Sequence, residues 1–369
     1  MVSKIIFLLI FPFINALSSP LEDYPEFNLK NKGESMEHVP LKEQIYGTCY
    51  AYSASMAIDA YIYSNGFSDY SYKSDPIYLA AIFTKFGENK NSLSRHPELP
   101  YDQISNDLSI SKGHVYEVFK YAKRNVVCMD NQESSSIFVR LSDDIKEKVQ
   151  FFFDFYNKVH PLNEVKIDQM RQDNTYVSKV LIAPNTPNNE SEKEVIHLAK
   201  ELVNDIIPEL SNADYKKIGK FLQSDYISKS PINFLIELSS SGCKSVDISN
   251  ARISDSSFYT GYKTYLKKVS KYFSQTQNKQ PLVITYCSSA LVSGKNGFNK
   301  RLNGTNTDCG GHASLIIGAR IKDNKYQYLI RDNYRCERSK IGECDKENVD
   351  SWVDAKKVLD HTYRINYLK

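Results

Sequence analysis

The chain has 369 residues, 47 Lys+Arg against 44 Asp+Glu, and 41% hydrophobic residues, including 26 Tyr and 18 Phe. A net charge of +3, with both signs spread along the chain, excludes a dedicated nucleic-acid binder, which needs a clustered basic face. The aromatic content excludes a mostly disordered protein, and the length supplies a real core for one large or two ordinary domains.

Lys4 precedes an apolar run from Ile5 to Ile14, and small residues follow at Ala16, Ser18 and Ser19. This pattern predicts a secretory signal over residues 1–18, because the run is shorter than the ~20 residues of a membrane span. The expected location is secreted or periplasmic, with no stable membrane span after signal cleavage. In an oxidising compartment the seven cysteines (Cys49, Cys128, Cys243, Cys287, Cys309, Cys336 and Cys344) should pair and leave one thiol free. Cys336 and Cys344 are close enough to close a small loop, and Cys287 reads as a disulfide partner. The other pairings stay open.

Residues 19–40 are polar and punctuated by Pro20, Pro25 and Pro40, and read as a surface lead-in. From 41 to 130 the pattern is mainly helical. Ala51, Ala54, Ser55, Ile58, Tyr61 and Ile62 recur at helix spacing, with Asn65-Gly66 as the stop, and a second helix is expected over 113–123. Residues 131–235 read as a mainly helical insertion, with a helix around 142–157, a linker over 183–192 and helix again over 193–224, broken at Pro208. Strand patterns dominate 236–369, at 281–287, 313–321, 326–331 and near Trp352. Helices first and strands last favour an α+β fold over an alternating one.

The chemistry begins at Gln44-Ile45-Tyr46-Gly47-Thr48-Cys49-Tyr50-Ala51-Tyr52-Ser53. Gly47 and Thr48 break the chain just before the helix, so Cys49 falls in its first turn. A thiol there meets the positive end of the helix dipole and the free N–H groups. The second segment is Cys309-Gly310-Gly311-His312-Ala313, where His312 heads an apolar strand. A return strand ends in Arg331-Asp332-Asn333-Tyr334, which offers two acceptors for the imidazole N–H. Nucleophile, base and orienter thus occur in one chain order, each at the rim of a regular element. Strand alternation makes the orienter depend on the hairpin. In an unbulged hairpin an odd loop count puts Asp332 on the His312 face, and an even count puts Asn333 there. The turn at Lys322-Asp323-Asn324-Lys325 can be read either way.

These segments resemble the papain-like cysteine peptidases. That family has a Gln followed by Gly-x-Cys-aromatic-Ala-aromatic-Ser, matched by Gln44, Gly47, Cys49, Tyr50, Ala51, Tyr52 and Ser53. Its Gly-His-Ala is matched by Gly311-His312-Ala313. Its basic-Asn-Ser-aromatic motif aligns with Arg331-Asp332-Asn333-Tyr334, which puts Asp332 at the Asn position, with Asn333 as the alternative. The resemblance covers residues 40–66 and 281–335. Cys49 and His312 are 263 residues apart, where the family leaves roughly 130–150, so about a hundred extra residues lie between them. Gln44 stands five residues before Cys49, one fewer than in the best-known members, and the local Cys-Gly-Ser run is missing. Some 30 residues between the signal and Cys49 leave no room for a long inhibitory pro-segment. The nearest likeness is to divergent, bacterial-type members.

The resemblance implies a two-lobed α+β fold, with a helical N-terminal lobe, an antiparallel β C-terminal lobe and the helical insertion between. It implies a secreted peptidase acting on a protein or peptide substrate through an acyl-enzyme. Cys49 would be the nucleophile, His312 the base, Asp332 (or Asn333) the orienter, and the Gln44 side chain an oxyanion donor worth ~3–4 kcal/mol. No cofactor is expected. Cys309 and His312 lack the spacing of a zinc site, so no metal is expected either. Two alternatives share the same residues: another thiol hydrolase, such as a cell-wall amidase or a transglutaminase-like enzyme, and an inactive binding protein on the same scaffold. The oligomeric state is left open.

Overall fold

The structure, a computed structural model, describes residues 24–44, 48–87, 113–131, 135–159, 189–257, 261–275, 279–287, 311–339 and 341–369. The expected signal at 1–18, Gly47, Cys309 and much of the linker lie outside them. The fold is α+β, with antiparallel strands throughout.

The lead-in expected at the surface contributes to the core instead. Its strand β1 (Phe27–Asn28) pairs with β7 (Gly311–Lys322), and Leu29, Met36 and Val39 are buried. Three buried apolar residues spaced among polar ones suffice once a neighbouring strand supplies the ladder. Helix α1 (Cys49–Ser64) follows and is buried on every side, from Tyr50 to Tyr63. It is therefore a central helix rather than a surface one. It ends as expected, with Asn65 as C-cap and Gly66 in the left-handed region at φ +67°. Strand β2 (Lys73–Ser74) leads into α2 (Pro76–Gly87), which the sequence reading did not single out. Helix α3 (Val115–Arg124) lies where the second helix was expected.

Strand β3 (Val127–Asp130) opens a long excursion. It passes through α4 (Ile137–Arg140), α5 (Asp143–Val159), α6 (Asn189–Ile206), α7 (Asn212–Ile218), α8 (Ser224–Lys229) and α9 (Pro231–Ser240), and returns as β4 (Lys244–Val246). Strands β3 and β4 pair, and the disulfide Cys128–Cys243 joins them. Position 235, the expected end of the insertion, lies inside α9. The expected linker also ends early. Residues 189–192 already belong to α6, with Glu190 and Glu192 in its first turn, where carboxylates favour the helix.

Helices and strands interleave in the last third of the chain, contrary to the expected order. After β5 (Ile253–Ser257) comes α10 (Gly261–Gln275), whose Tyr265, Leu266, Val269, Tyr272 and Phe273 are buried at helix spacing. Then follow β6 (Leu282–Cys287), β7 and β8 (Lys325–Arg331). The short α11 (Cys336–Ser339), β9 (Glu343–Cys344), β10 (Ser351–Asp354), α12 (Ala355–His361) and β11 (Thr362–Leu368) complete the chain. The main sheet runs β5-β11-β6-β7-β8-β10-β9, with β1 also on β7; β2, β3 and β4 form a second, small sheet. The disulfide Cys336–Cys344 closes the expected loop, and Cys287 is disulfide-bonded. No helix among the described residues is long and apolar enough to cross a membrane.

Candidate active site

Three chain segments converge where the tip of α1 meets the rim of the sheet. Cys49 is the first residue of α1, partly exposed, and is the one free cysteine among the described residues. His312 is the second residue of β7, and Asp332 immediately follows β8. His312 Nε2 lies 2.5 Å from Asp332 Oδ1, and the Cys49 thiol is near enough to the His312 ring to favour its charged form. With Nε2 held by the carboxylate, Nδ1 is the nitrogen available to the thiol.

The hairpin explains why the orienter is Asp332. Its loop has two residues, Asp323 and Asn324, both in the left-handed region with φ of +52° and +57°. This is the backbone of a tight primed turn. An even loop alone would bring Asn333 to the His312 face. The register, however, shifts by one between Ile316 and Gly318, a bulge that leaves Leu315 opposite Arg331. The shift carries Asp332 onto the face of His312 and Ser314, and turns Asn333 to the other face. Gly318 permits this crossing. A Cβ there would meet Leu329 Cβ at 3.0 Å and the Phe27 carbonyl at 3.1 Å.

Asn333, the alternative orienter, has a different task. Its Nδ2 donates to the Cys49 carbonyl at 3.1 Å and the Ala313 carbonyl at 2.9 Å, while Ser53 Oγ donates to its Oδ1 at 3.2 Å. It thus staples the first turns of α1 to the strand that carries His312. Gln44 lies alongside, its N–H donating to the Asn333 carbonyl at 2.9 Å. Residues 45–47, between Gln44 and Thr48, are outside the described residues. Arg331 anchors the strand end from behind. Its Nε and Nη2 donate to the two carboxylate oxygens of buried Asp350 at 2.8 and 3.0 Å.

Several participants had little or no signal in the sequence. Ser314 Oγ donates to Asp332 Oδ1 at 3.1 Å, and Tyr286 OH lies 3.0 Å from Ser314 Oγ. Because the Ser314 proton goes to the carboxylate, the Tyr286 hydroxyl is the donor of that pair. Ser314 follows His312 by two, so period-2 alternation would have found it. Tyr334 lies parallel to the His312 ring at 6.2 Å between centroids, and Tyr286 meets it edge-on at 5.7 Å. These rings shelter the imidazole from water.

Burial, the largest single influence on His312, opposes its charged form. Hydrogen bonds to Asp332 and Cys49, and the negative charge of Asp332, outweigh it and raise the pKa from 6.5 to about 10. Burial likewise favours protonated Asp332. The His312 hydrogen bond and charge, with donors from Ser339 and the Asn333 N–H, outweigh that and hold the carboxyl below its ordinary 3.8. The site therefore favours a charged imidazolium beside a charged carboxylate.

A stability prediction follows from the raised imidazole. The unfolded chain releases this proton near pH 6.5 and the folded chain near pH 10. The His312 contribution is thus complete below 6.5 and lost as the pH rises through 10. Denaturant unfolding of His312→Ala should show a smaller decline in stability between pH 6.5 and 10 than the unsubstituted protein. Equal slopes would mean that the folded imidazole is neutral in that window.

A cavity of about 680 Å³, lined by Lys268, Tyr272, Leu282 and Tyr367 among others, lies between α10 and the sheet and includes none of these residues. No group of His, Cys, Asp and Glu among the described residues forms a metal site. No family model matches the chain, and no curated protein matches it.

Proposed function

We propose that the chain is an exported thiol hydrolase of papain-like type that cleaves peptide bonds through an acyl-enzyme. The observation that carries this reading is a free Cys49 at a helix start, beside an imidazole that Asp332 holds by its Nε2 at 2.5 Å. A disulfide at Cys49 would have favoured a binding protein. Cys49 Sγ attacks the substrate carbonyl carbon, and the C–O π electrons move onto oxygen. His312 gives its proton to the leaving amine as the C–N bond breaks. Water then attacks the thioester, His312 takes the proton of that water, and the departing Cys49 thiolate completes the cycle. The Cys49 N–H and the Gln44 side chain are the proposed oxyanion donors.

In the two-lobed arrangement we propose, α1 with α2 and α3 forms one wall of the cleft and the rim of the main sheet the other. Disulfides Cys128–Cys243 and Cys336–Cys344 support an oxidising, extracytoplasmic setting. The test is labelling with an epoxysuccinyl peptide followed by peptide mapping. A single adduct at Cys49, absent in His312→Ala, is expected. An unlabelled protein with Cys49 intact would overturn the reading. Profiling of the labelled enzyme on peptides and on cell-wall fragments then separates a peptidase from an amidase.

A further inference from the structure

The Asp332 carboxylate receives donors on both oxygens. Oδ1 accepts from His312 Nε2 at 2.5 Å, the Asn333 N–H at 2.6 Å and Ser314 Oγ at 3.1 Å. Oδ2, the oxygen facing away from the imidazole, accepts from Ser339 Oγ at 2.6 Å. An amide in this position would carry its own hydrogens on the outer atom. A carboxylate has none, and one that is almost fully buried needs an external donor on each oxygen. The aspartate in this site therefore calls for a hydroxyl that an asparagine would not need.

The delivery of that hydroxyl is equally specific. Ser339 is the last residue of the one-turn helix α11, whose first residue, Cys336, is bonded to Cys344 in β9. Strand β9 pairs with β10, and β10 pairs with β8, the strand that ends at Asp332. Ser351 of β10 also donates to Cys336 Sγ at 3.0 Å. The turn bearing Ser339 is thus covalently tied to the same sheet that carries its acceptor, which fixes donor and acceptor in one frame.

We infer that Ser339 is a positioning residue for His312: its hydroxyl supplies the donor that Asp332 Oδ2 requires and sets the carboxylate plane so that Oδ1 faces Nε2. The inference rests on the Cys49–His312–Asp332 reading above. Ser339 acts through Asp332, so its loss should lower kcat and leave KM unchanged. A hydrogen bond to a charged group has an effect of about tenfold or more on an equilibrium.

The experiment uses the full chain with its disulfides intact, as unsubstituted protein, Ser339→Ala and Ser339→Thr. Alanine suits the half-exposed end of a short helix, and unchanged thermal unfolding checks that the fold is kept. The first readout is NMR titration of the His312 ring without substrate. In Ser339→Ala the acid-side inflection, which reports protonation of Asp332, should move up by about one pH unit. Threonine, which restores the hydroxyl, should return it. The second readout is the acid limb of kcat/KM, which should move in parallel while kcat falls about tenfold. A His312 titration unmoved by alanine, or moved by alanine and equally by threonine, would overturn the inference. The titration needs no turnover. A protein that titrates as described but does not label at Cys49 therefore refutes the catalytic reading alone, and a labelled protein with an unmoved titration refutes the role of Ser339 alone.

Discussion

Cys49→Ala is expected to lower peptide hydrolysis by roughly 10⁶-fold, and His312→Ala by a comparable factor, with the double variant no worse than either single one. Nucleophile and base act as a unit. An imidazole without its thiol has nothing to activate, and a thiol without its imidazole has neither partner nor proton donor for the leaving amine. Additive losses would show that the two residues contribute independently, and the acyl-enzyme proposal would fall. Both variants should fold. Cys49 is partly exposed on a first turn, where alanine is a good helix former. His312 contributes its raised-pKa stability only below about pH 10, so its removal weakens the fold most at neutral and acidic pH. The measurement is kcat/KM on a peptide substrate together with thermal unfolding of each variant. Retained activity in Cys49→Ala at unchanged stability would sink the thiol mechanism outright.

What the residues revealed in advance divides along a physical line. Cys49 and His312 were legible because each sits in a short local pattern: a chain break before a buried helix, and a Gly-His-Ala start to an apolar strand. Asp332 against Asn333 was not decidable, because two local features each invert the parity of the hairpin. The two-residue turn at Asp323 and Asn324 favours Asn333, and the bulge between Ile316 and Gly318 reverses that choice. A bulge has no strong composition signal beyond a glycine, and Gly318 reads as an ordinary small residue in the strand. The β3–β4 ribbon is a pairing across a sequence separation of more than a hundred residues, so no window along the chain contains it. Ser339 lies only seven residues after Asp332, but a lone serine carries no composition signal. Its hydroxyl matters because the short Cys336–Cys344 loop turns it back onto the carboxylate. Helix α10, by contrast, has a local signal, since its buried Tyr265, Leu266, Val269, Tyr272 and Phe273 recur at helix spacing.

The largest stability effect should come from Asp59→Ala, at about 3–5 kcal/mol, because it leaves the buried Lys42 without its counter-charge. Lys42 Nζ lies 2.6 Å from Asp59 Oδ2, with side-chain exposures of 9% and 0%. The ammonium also donates to Ser55 Oγ at 2.5 Å and to the Ser74 carbonyl at 2.6 Å, while the Ser74 N–H donates to Asp59 Oδ1 at 2.8 Å. This knot joins the segment just before α1 to the middle of α1 and to β2. Two further carboxyls stand close to it: Asp75, raised to about 6, and Asp130, raised to about 7, both chiefly by burial and both drawn down by Lys42. Asp75 in turn receives the N–H groups of Ile77 and Tyr78 at the start of α2. One ammonium therefore serves acidic groups on three elements, and its placement sets how α1, and with it Cys49, is seated against α2. Burial already pulls Lys42 below its ordinary 10.5, opposed mainly by Asp59. Without Asp59 the folded Lys42 should give up its proton more readily than the unfolded one, so the unfolded state binds more protons and the deficit should shrink as the pH rises toward 10. Guanidinium unfolding across that range measures both the size and the slope. Lys42→Met combined with Asp59→Asn removes both charges, keeps an acceptor for the Ser74 N–H, and should recover most of the loss. A deficit that is small, or that ignores pH, would mean that water reaches the pair and that the seating of the nucleophile helix depends on packing alone.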